Sequence, residues 1–216
     1  MKRTFVAAML VAAVLLPSAG RAQSFGLAGR AGSLGVGGEV NLDLNRFIGV
    51  RGGVGSIPMQ PTGTFSDVEY TVKPPSSLQN VGVDLYPLGG HFRLSGGFLF
   101  KHDIALEGVS HASYEINGVS YSAAEAGTLT ASFTYSSTAP YATLGFSGRG
   151  RGFGLSFDVG AASLGQPTVA LAASGSMRDN AIFQQNLRQD QADMQDKANK
   201  YMKILPIVSL GIRFGI

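Results

Sequence analysis

The residue types that could perform nucleophilic catalysis lie close together in one part of the chain. His111, Ser113 and Glu115 alternate with single residues, and His102 precedes Glu107 slightly earlier. A serine hydrolase needs a serine, a base and an orienting acid within hydrogen-bond distance of one another. Residues two apart on a strand share a face but lie about 7 Å apart, which is too far for that contact. We therefore predict that the protein is not an enzyme.

Sites for phosphate, metal and cofactors are not indicated either. The glycine-rich stretch 148–152, GRGRG, lacks the lysine and the serine or threonine that follow in a phosphate-binding loop, so it favours a turn. The chain has no cysteine, and its histidines and acids do not have the spacing of metal ligands. The sequence thus predicts no catalytic, cofactor-binding or metal-binding residues, and no cofactor.

Charged residues recur instead at alternate positions of segments that are otherwise apolar. In residues 36–44, for example, Glu39 and Asp43 alternate with Val40 and Leu42. A period of two gives a strand one apolar and one polar face. Nine charged residues fall on polar faces of this kind: Arg30, Glu39, Asp43, Arg51, Asp84, Arg93, Lys101, Asp158 and Arg213.

Eight alternating segments define the predicted strands. They cover residues 25–31, 36–44, 48–54, 80–86, 92–101, 141–147, 153–161 and 204–216. Short connections follow the second, fourth and sixth segments, and long ones follow the third, fifth and seventh, which is typical of outer-membrane barrels. The sequence thus predicts an all-β fold, a membrane-spanning antiparallel up-and-down β-barrel of about eight strands. An even strand count places both termini on the periplasmic side.

A helix is predicted in the outer loop before the last strand. Residues 178–203 lack glycine and proline and carry an apolar stripe at helical spacing, formed by Phe183, Leu187, Met194, Ala198 and Tyr201. We expect this helical insertion, at about 177–203, to cap the barrel mouth with Phe183 and Leu187. The alternative is an interaction surface for envelope or host partners, or a contact with lipopolysaccharide.

The N-terminal residues 1–22 have the layout of a secretory signal peptide. Lys2 and Arg3 precede an apolar run at 5–16, which is too short to span a bilayer, and small residues follow. We predict cleavage between Ala22 and Gln23, which leaves residues 23–216 as one barrel domain. Cleavage removes three basic residues and no acid, so the mature chain carries equal numbers of both signs. The charge balance therefore does not favour nucleic-acid binding.

Several motifs resemble one protein family in their order along the chain. They are FGLAGRAGSLGVGGEVNLDLNRFIGVRGGVG (25–55), INGVSY (116–121), Ala139-Pro140-Tyr141, GLSFDVG (154–160) and LPIVSLGIRFGI (205–216). In this order they resemble the small outer-membrane β-barrel proteins of Gram-negative bacteria, in the OmpA/OmpW-like barrel superfamily. The resemblance implies outer-membrane location after export, a monomer, and contacts with outer-membrane lipid, lipopolysaccharide and, during biogenesis, the barrel-assembly machinery. It also implies that Leu210, Ile212, Phe214 and Ile216 of the terminal strand form the assembly signal.

The nine charged residues would then line the lumen of the barrel. The interior of a barrel of about eight strands is only wide enough for side chains. An unpaired buried charge costs several kcal/mol, so we predict that these residues pair and fill the lumen. The sequence favours a non-enzymatic protein that contributes to envelope integrity, and leaves open a narrow porin-like path for small solutes. The alternatives are a surface adhesin acting through the outer loops and, more remotely, a lipid-modifying enzyme.

Overall fold

The computed structural model describes residues 24–58, 62–65, 68–74, 77–100, 104–110 and 113–216. The strands are β1 (Ser24–Gly32), β2 (Gly35–Asp43), β3 (Ile48–Ser56), β4 (Thr62–Phe65), β5 (Val68–Lys73), β6 (Leu78–Leu85), β7 (Phe92–Phe100), β8 (Ile104–Ser110), β9 (Ser113–Ile116), β10 (Val119–Ser122), β11 (Thr128–Thr134), β12 (Thr138–Ser147), β13 (Gly152–Ser163), β14 (Thr168–Ala173) and β15 (Ile204–Gly215). The helices are α1 (Ala123–Ala126) and α2 (Ala181–Tyr201). The predicted cleavage site at Ala22 and Gln23, and the predicted lumen residue Lys101, lie outside the described residues.

Eight strands close into an antiparallel barrel in the order β1-β15-β13-β12-β7-β6-β3-β2. The last strand pairs with the first, with Gly26 opposite Gly215, so the barrel has no free edge. These are the eight segments whose alternation predicted strands. The fold prediction is therefore confirmed in its closed eight-stranded antiparallel barrel and in the helix before the last strand. In the described part of the chain, neither helix is long and apolar enough to cross a membrane.

The two ends of the barrel differ in their connections. One end, here called the turn end, carries the short connections 44–47, 86–91 and 148–151 together with the start of β1. The other, the loop end, carries the tight turn at 33–34 and all the longer excursions of the chain. The predicted alternation of short and long connections thus corresponds to two different ends of the barrel.

The longer excursions form a second sheet, which the sequence analysis treated as loops. Its order, β14-β11-β8-β5-β4, follows that of the adjoining barrel strands β13-β12-β7-β6-β3. The chain therefore continues beyond the loop end on one side of the barrel as an open sheet of five strands, here called the outer sheet. Its strands are four to seven residues long, shorter than the barrel strands of eight to twelve.

A hairpin and the two helices complete the structure beyond the loop end. Strands β9 and β10 join at Asn117 and Gly118, which both have positive φ, 51° and 73°. This is the conformation that a two-residue hairpin turn requires. Helix α1 begins at a capping box between Ser122 and Glu125. The outer sheet, hairpin β9–β10, α1 and α2 together are called the outer cap below.

Candidate functional site

The barrel interior contains many ion pairs between side chains of different strands. Eight of the nine predicted lumen residues are described, and each of the eight takes part in at least one ion pair. They are Arg30, Glu39, Asp43, Arg51, Asp84, Arg93, Asp158 and Arg213. Strand alternation places them inward, because their sequence neighbours are apolar and occupy the outer face. The interior is therefore the candidate functional site.

Arg93 and Asp158 form the tightest pair of the network. Arg93 on β7 donates from Nε to Asp158 Oδ1 at 3.0 Å and from Nη2 to Oδ2 at 2.6 Å. The same guanidinium donates from Nη1 to Oδ2 of Asp84 on β6 at 3.3 Å. Bidentate arginine–carboxylate contacts combine charge with fixed geometry and are among the strongest hydrogen bonds in proteins. This pair links β7 to β13 across the interior.

Arg51 on β3 adds the second cation of the centre. Its Nη1 lies 3.2 Å from Asp158 Oδ2, and its Nε lies 3.2 Å from Asp84 Oδ1. Its Nη2 donates to Thr143 Oγ1 on β12 at 3.1 Å. Each of the two arginines therefore contacts both aspartates. The loss of any one of these four side chains would leave a buried charge incompletely paired.

Arg30 and Glu39 extend this network towards β1 and β2. Arg30 Nη1 lies 3.2 Å from Glu39 Oε2, and Nη2 donates to Asn80 Oδ1 at 2.5 Å. Glu39 is also 3.9 Å from Arg51 Nη1. The six residues Arg30, Glu39, Arg51, Asp84, Arg93 and Asp158 are called the central network below. Its three cations balance its three anions, so it needs no further ion.

Two glycines leave room for large interior side chains. A Cβ on Gly26 would lie 2.9 Å from Cζ of Arg213, and one on Gly82 would lie 3.2 Å from Cζ of Tyr141. Both glycines are on inward positions of their strands. A larger residue at either position would have to displace Arg213 or Tyr141 from its place in the packed interior.

A separate cluster closes the turn end. Asp43 accepts hydrogen bonds from Ser24 Oγ at 2.7 Å and from Arg213 Nη2 at 2.9 Å, and Arg149 Nη2 lies 3.4 Å from its other oxygen. The Arg149 guanidinium also stacks 3.7 Å from the ring centre of Tyr86. Arg149 was missed in the sequence because it lies in the turn 148–151, where no strand phase indicates that it reaches the lumen.

The loop end of the interior is apolar rather than charged. Six buried side chains, here called the apolar plug, occupy it: Leu34, Leu78, Leu99, Ala139, Ala162 and Ile207. They continue into the outer cap through Val169 and Ala198. The sequence does carry this signal, because Leu99 shares the inward phase of Arg93 and Ile207 shares that of Arg213. The inward face changes from charged to apolar towards the loop end.

Helix α2 packs on the hairpin and on β14 of the outer sheet, so Phe183 and Leu187 do not cap the barrel mouth as predicted. Phe183 and Leu187 are buried with Ile116 and Tyr121 of the hairpin, and the Phe183 and Tyr121 rings meet edge to face at 4.9 Å. Only Ala198, near the end of α2, is buried in the cluster that includes the apolar plug. The stripe prediction is right for these buried residues, whereas Tyr201 is 71% exposed.

Polar contacts also tie α2 to its neighbours. Asn117 Nδ2 donates to Asn186 Oδ1 at 3.1 Å, and Asn186 Nδ2 donates to the Tyr121 hydroxyl at 2.7 Å. Burial raises the pKa of the Asp190 carboxyl, and a hydrogen bond from the Asn117 backbone partly offsets that rise. Hydrogen bonds from Ser122 hold the pKa of Glu125 below its ordinary value.

Two glutamines of α2 cover the edge of the outer sheet. Gln195 Oε1 accepts from the Val169 backbone N–H at 2.9 Å, and Gln191 Oε1 accepts from Leu171 N–H at 3.1 Å. Gln195 Nε2 also donates to the Pro167 carbonyl at 2.7 Å. The free backbone groups of an edge strand can pair with a strand of another chain. Here Gln191 and Gln195, one helical turn apart, accept hydrogen bonds from two backbone N–H groups of that edge.

The double variant Gln191→Leu, Gln195→Leu is expected to remove both of these side-chain hydrogen bonds from the edge of the outer sheet. The buried Val169 N–H would lose its partner, which costs about 1–3 kcal/mol. Amide hydrogen exchange at Val169 and Leu171 should then be about tenfold faster or more. Gln189→Leu, on the exposed face of α2, is the matched control and should leave both rates unchanged. Unchanged exchange in the double variant would contradict this role.

The structure describes only part of the set of residues considered for catalysis. His102 and His111 lie outside the described residues, whereas Ser113 and Glu115 are exposed on β9. Across the described ranges, no three histidine, aspartate or glutamate side chains come close enough together to hold a metal ion. The GRGRG stretch forms the turn between β12 and β13 and contributes Arg149 to the turn-end cluster.

The chain is similar to known proteins in its three-dimensional structure, whereas comparisons of its sequence find no match. No family model and no curated protein matches the chain. The crystal structure of Acinetobacter baumannii CarO2 superposes with a TM-score of 0.62 at 20% identity, over 91% of this chain and 100% of that one. Acinetobacter baumannii CarO gives a TM-score of 0.56 at 21% identity, over 88% and 96% of the two chains. Identities this low show a shared fold, and the OmpA/OmpW-like superfamily stays a prediction.

Proposed function

We propose that the protein is a non-enzymatic integral protein of the Gram-negative outer membrane. The observation that carries this proposal is the inverted burial of the barrel, with arginines and aspartates inside and large apolar side chains exposed outside. Leu27, Val54, Phe98 and Leu210, on four different strands, are 50–64% exposed. The barrel strands have 8 to 12 residues, and a membrane-spanning strand needs about 9–11. The two solved neighbours are also outer-membrane barrel proteins.

Orientation and partners follow from this proposal. The start of β1 and the end of β15 lie at the turn end, which would face the periplasm, and the outer cap would face outward. Cleavage between Ala22 and Gln23 would leave one residue before β1. Outer-membrane lipid and lipopolysaccharide would surround a monomeric barrel. Leu210, Ile212, Phe214 and Ile216 are exposed on the outer side of β15 and at its end, where the barrel-assembly machinery could recognise the terminal strand.

The lumen of the resting protein is closed in this proposal, which favours a role in envelope integrity over solute passage. Three successive layers support it: the turn-end cluster, the central network and the apolar plug. Each is made of buried side chains from several strands, and ions do not pass through an apolar constriction without wetting it. A porin-like path would need displacement of all three layers.

Single-channel recording in a planar bilayer tests whether the lumen is closed. The refolded mature protein should give no discrete current steps. Arg93→Ser combined with Asp158→Ser keeps the charge balance and should also be silent, because the apolar plug remains. Adding Leu78→Ser and Leu99→Ser in the apolar plug, together with Asp43→Ser and Arg213→Ser in the turn-end cluster, alters all three layers and should produce reproducible steps. Heat-dependent mobility on gels must show that every sample is folded, and discrete steps from the unaltered protein would support the porin interpretation instead.

Surface recognition through the outer cap is the second candidate. A specific observation favours it: the cap has its own buried cluster of Tyr114, Ile116, Tyr121, Ala126, Phe183 and Leu187. Connections that only joined strands would not need such a core. Binding to a cell or envelope surface that survives deletion of the hairpin and α2 would exclude this role.

A further inference from the structure

The turn end of the barrel is basic. Its connections 44–47, 86–91 and 148–151 contain Arg46, Arg149 and Arg151 and no aspartate or glutamate. The nearest acid, Asp43, is buried and already paired with Arg213 and Arg149. The exposed charge at this end is therefore positive.

Hydrogen bonds bring two of these connections together. Arg149 donates from Nη1 to the Arg46 carbonyl at 2.7 Å and from Nη2 to the Asn45 carbonyl at 2.8 Å. The turns at 44–47 and 148–151 are thereby joined, and both carry an exposed arginine. Arg149 holds the turns, which leaves Arg46 and Arg151 as the cations that face outward.

Exposed apolar side chains flank these arginines. Phe47, whose ring lies 4.5 Å from Cζ of Arg46, is 44% exposed, and Leu88 and Phe153 are 81% and 84% exposed. Arginine beside aromatic and aliphatic side chains is the composition of a membrane interface, where the apolar groups enter the acyl region and the cations stay among the headgroups.

The loop end has no such excess of one sign in its described helix. Helix α2 carries Arg188, Lys197 and Lys200 together with Asp190, Asp193 and Asp196. Just before it, Arg178 and Asp179 pair at 3.2 Å. The cationic excess of the turn end is thus not shared by the described helix at the loop end.

We propose that the turn end binds the phosphate groups of anionic phospholipids in the leaflet that it faces. The inference rests on the proposed function, because it needs a barrel that spans a bilayer. A guanidinium pairs with a phosphodiester through two parallel hydrogen bonds. Arg46 and Arg151 are free to do so from neighbouring turns, while Phe47 and Phe153 anchor the rim at headgroup depth.

The test compares lipids that remain bound to the refolded mature protein. The protein is inserted into bilayers of equal parts phosphatidylglycerol and phosphatidylcholine, and native mass spectrometry counts both lipids on the released barrel. We expect phosphatidylglycerol to be enriched, and Arg46→Gln combined with Arg151→Gln to reduce that enrichment about tenfold. Arg178→Gln combined with Arg188→Gln, which removes two arginines from the outer cap, is the matched control and should keep it.

Three results would overturn the proposal. They are no enrichment in the unaltered protein, an equal loss in the control variant, and binding to peptidoglycan sacculi that requires Arg46 and Arg151 without any lipid preference. Insertion is measured on the same samples by heat-dependent mobility and protease protection. Failure to insert would contradict the proposed function itself, whereas correct insertion without lipid preference contradicts only this inference.

Discussion

Replacing Asp158 with asparagine is expected to lower the free energy of unfolding by about 3–5 kcal/mol. Asp158 accepts both hydrogen bonds of the bidentate Arg93 contact and also pairs with Arg51 at 3.2 Å. Asparagine keeps the shape of the side chain but removes its negative charge. Arg93 would then keep only the carboxylate of Asp84, which it shares with Arg51, while Arg51 also lies 3.9 Å from Glu39. A buried charge without a full partner is strongly destabilising.

Urea titration of the refolded barrel measures this effect. Circular dichroism is the suitable probe because the chain has no tryptophan. Asp179→Asn is the matched control. Its carboxylate lies 3.2 Å from Nε of Arg178, as close as Asp158 is to Arg51, but the two side chains are 64% and 88% exposed. Exposed pairs contribute about 0–1 kcal/mol. Similar losses in the two variants would show that the central network is not the source of stability.

A double-variant cycle separates lost attraction from an unpaired charge. Adding Arg93→Gln to Asp158→Asn removes the cation that the first change left unpaired. If the stability lost in Asp158→Asn arises mainly from the unpaired Arg93, the double variant should lose less free energy of unfolding than the two single variants lose in sum. Additive losses would mean that the two side chains act independently, contrary to their 2.6 Å contact.

The barrel could be predicted from the sequence because two physical signals agree. Outward positions such as Leu27 and Ile212 are apolar, and inward positions such as Arg51 and Asp158 are charged, so the phase of each strand is fixed by its own residues. The ion-pair partners were not predictable. Asp158 is 65 residues from Arg93 and 107 from Arg51, and only the strand order and register decide which charges meet.

The outer sheet and the apolar plug were not predicted, for different reasons. Strand β11 pairs with β8 and β14 over six residues each, and although Leu129, Ala131 and Phe133 alternate with polar residues, that alternation does not identify its partners. The plug residues Leu78, Leu99 and Ile207 follow the inward phase, but a few apolar residues on a strand face that also carries charges do not by themselves indicate that they close the lumen. For α2, the stripe predicted the buried face but not the surface that it contacts.

Replacing Phe183 with alanine is expected to release the first half of α2 from the hairpin without unfolding the barrel. Phe183 is fully buried, and its ring contacts Tyr121 at 4.9 Å. Deleting a buried phenylalanine side chain costs about 3–5 kcal/mol. The buried cluster around it has six members, so we expect the cap to lose most of its local stability. Limited proteolysis within 181–190 should become much faster.

Ile182→Ala is the matched control because it removes a side chain of similar size from the adjacent position, where it is 69% exposed. It should leave proteolysis unchanged. The barrel of Phe183→Ala should keep its heat-dependent gel mobility and its urea midpoint, since the central network contains no residue of the cap. A parallel fall in the urea midpoint would instead show that Ala198 and the apolar plug couple the cap to the barrel as one cooperative unit.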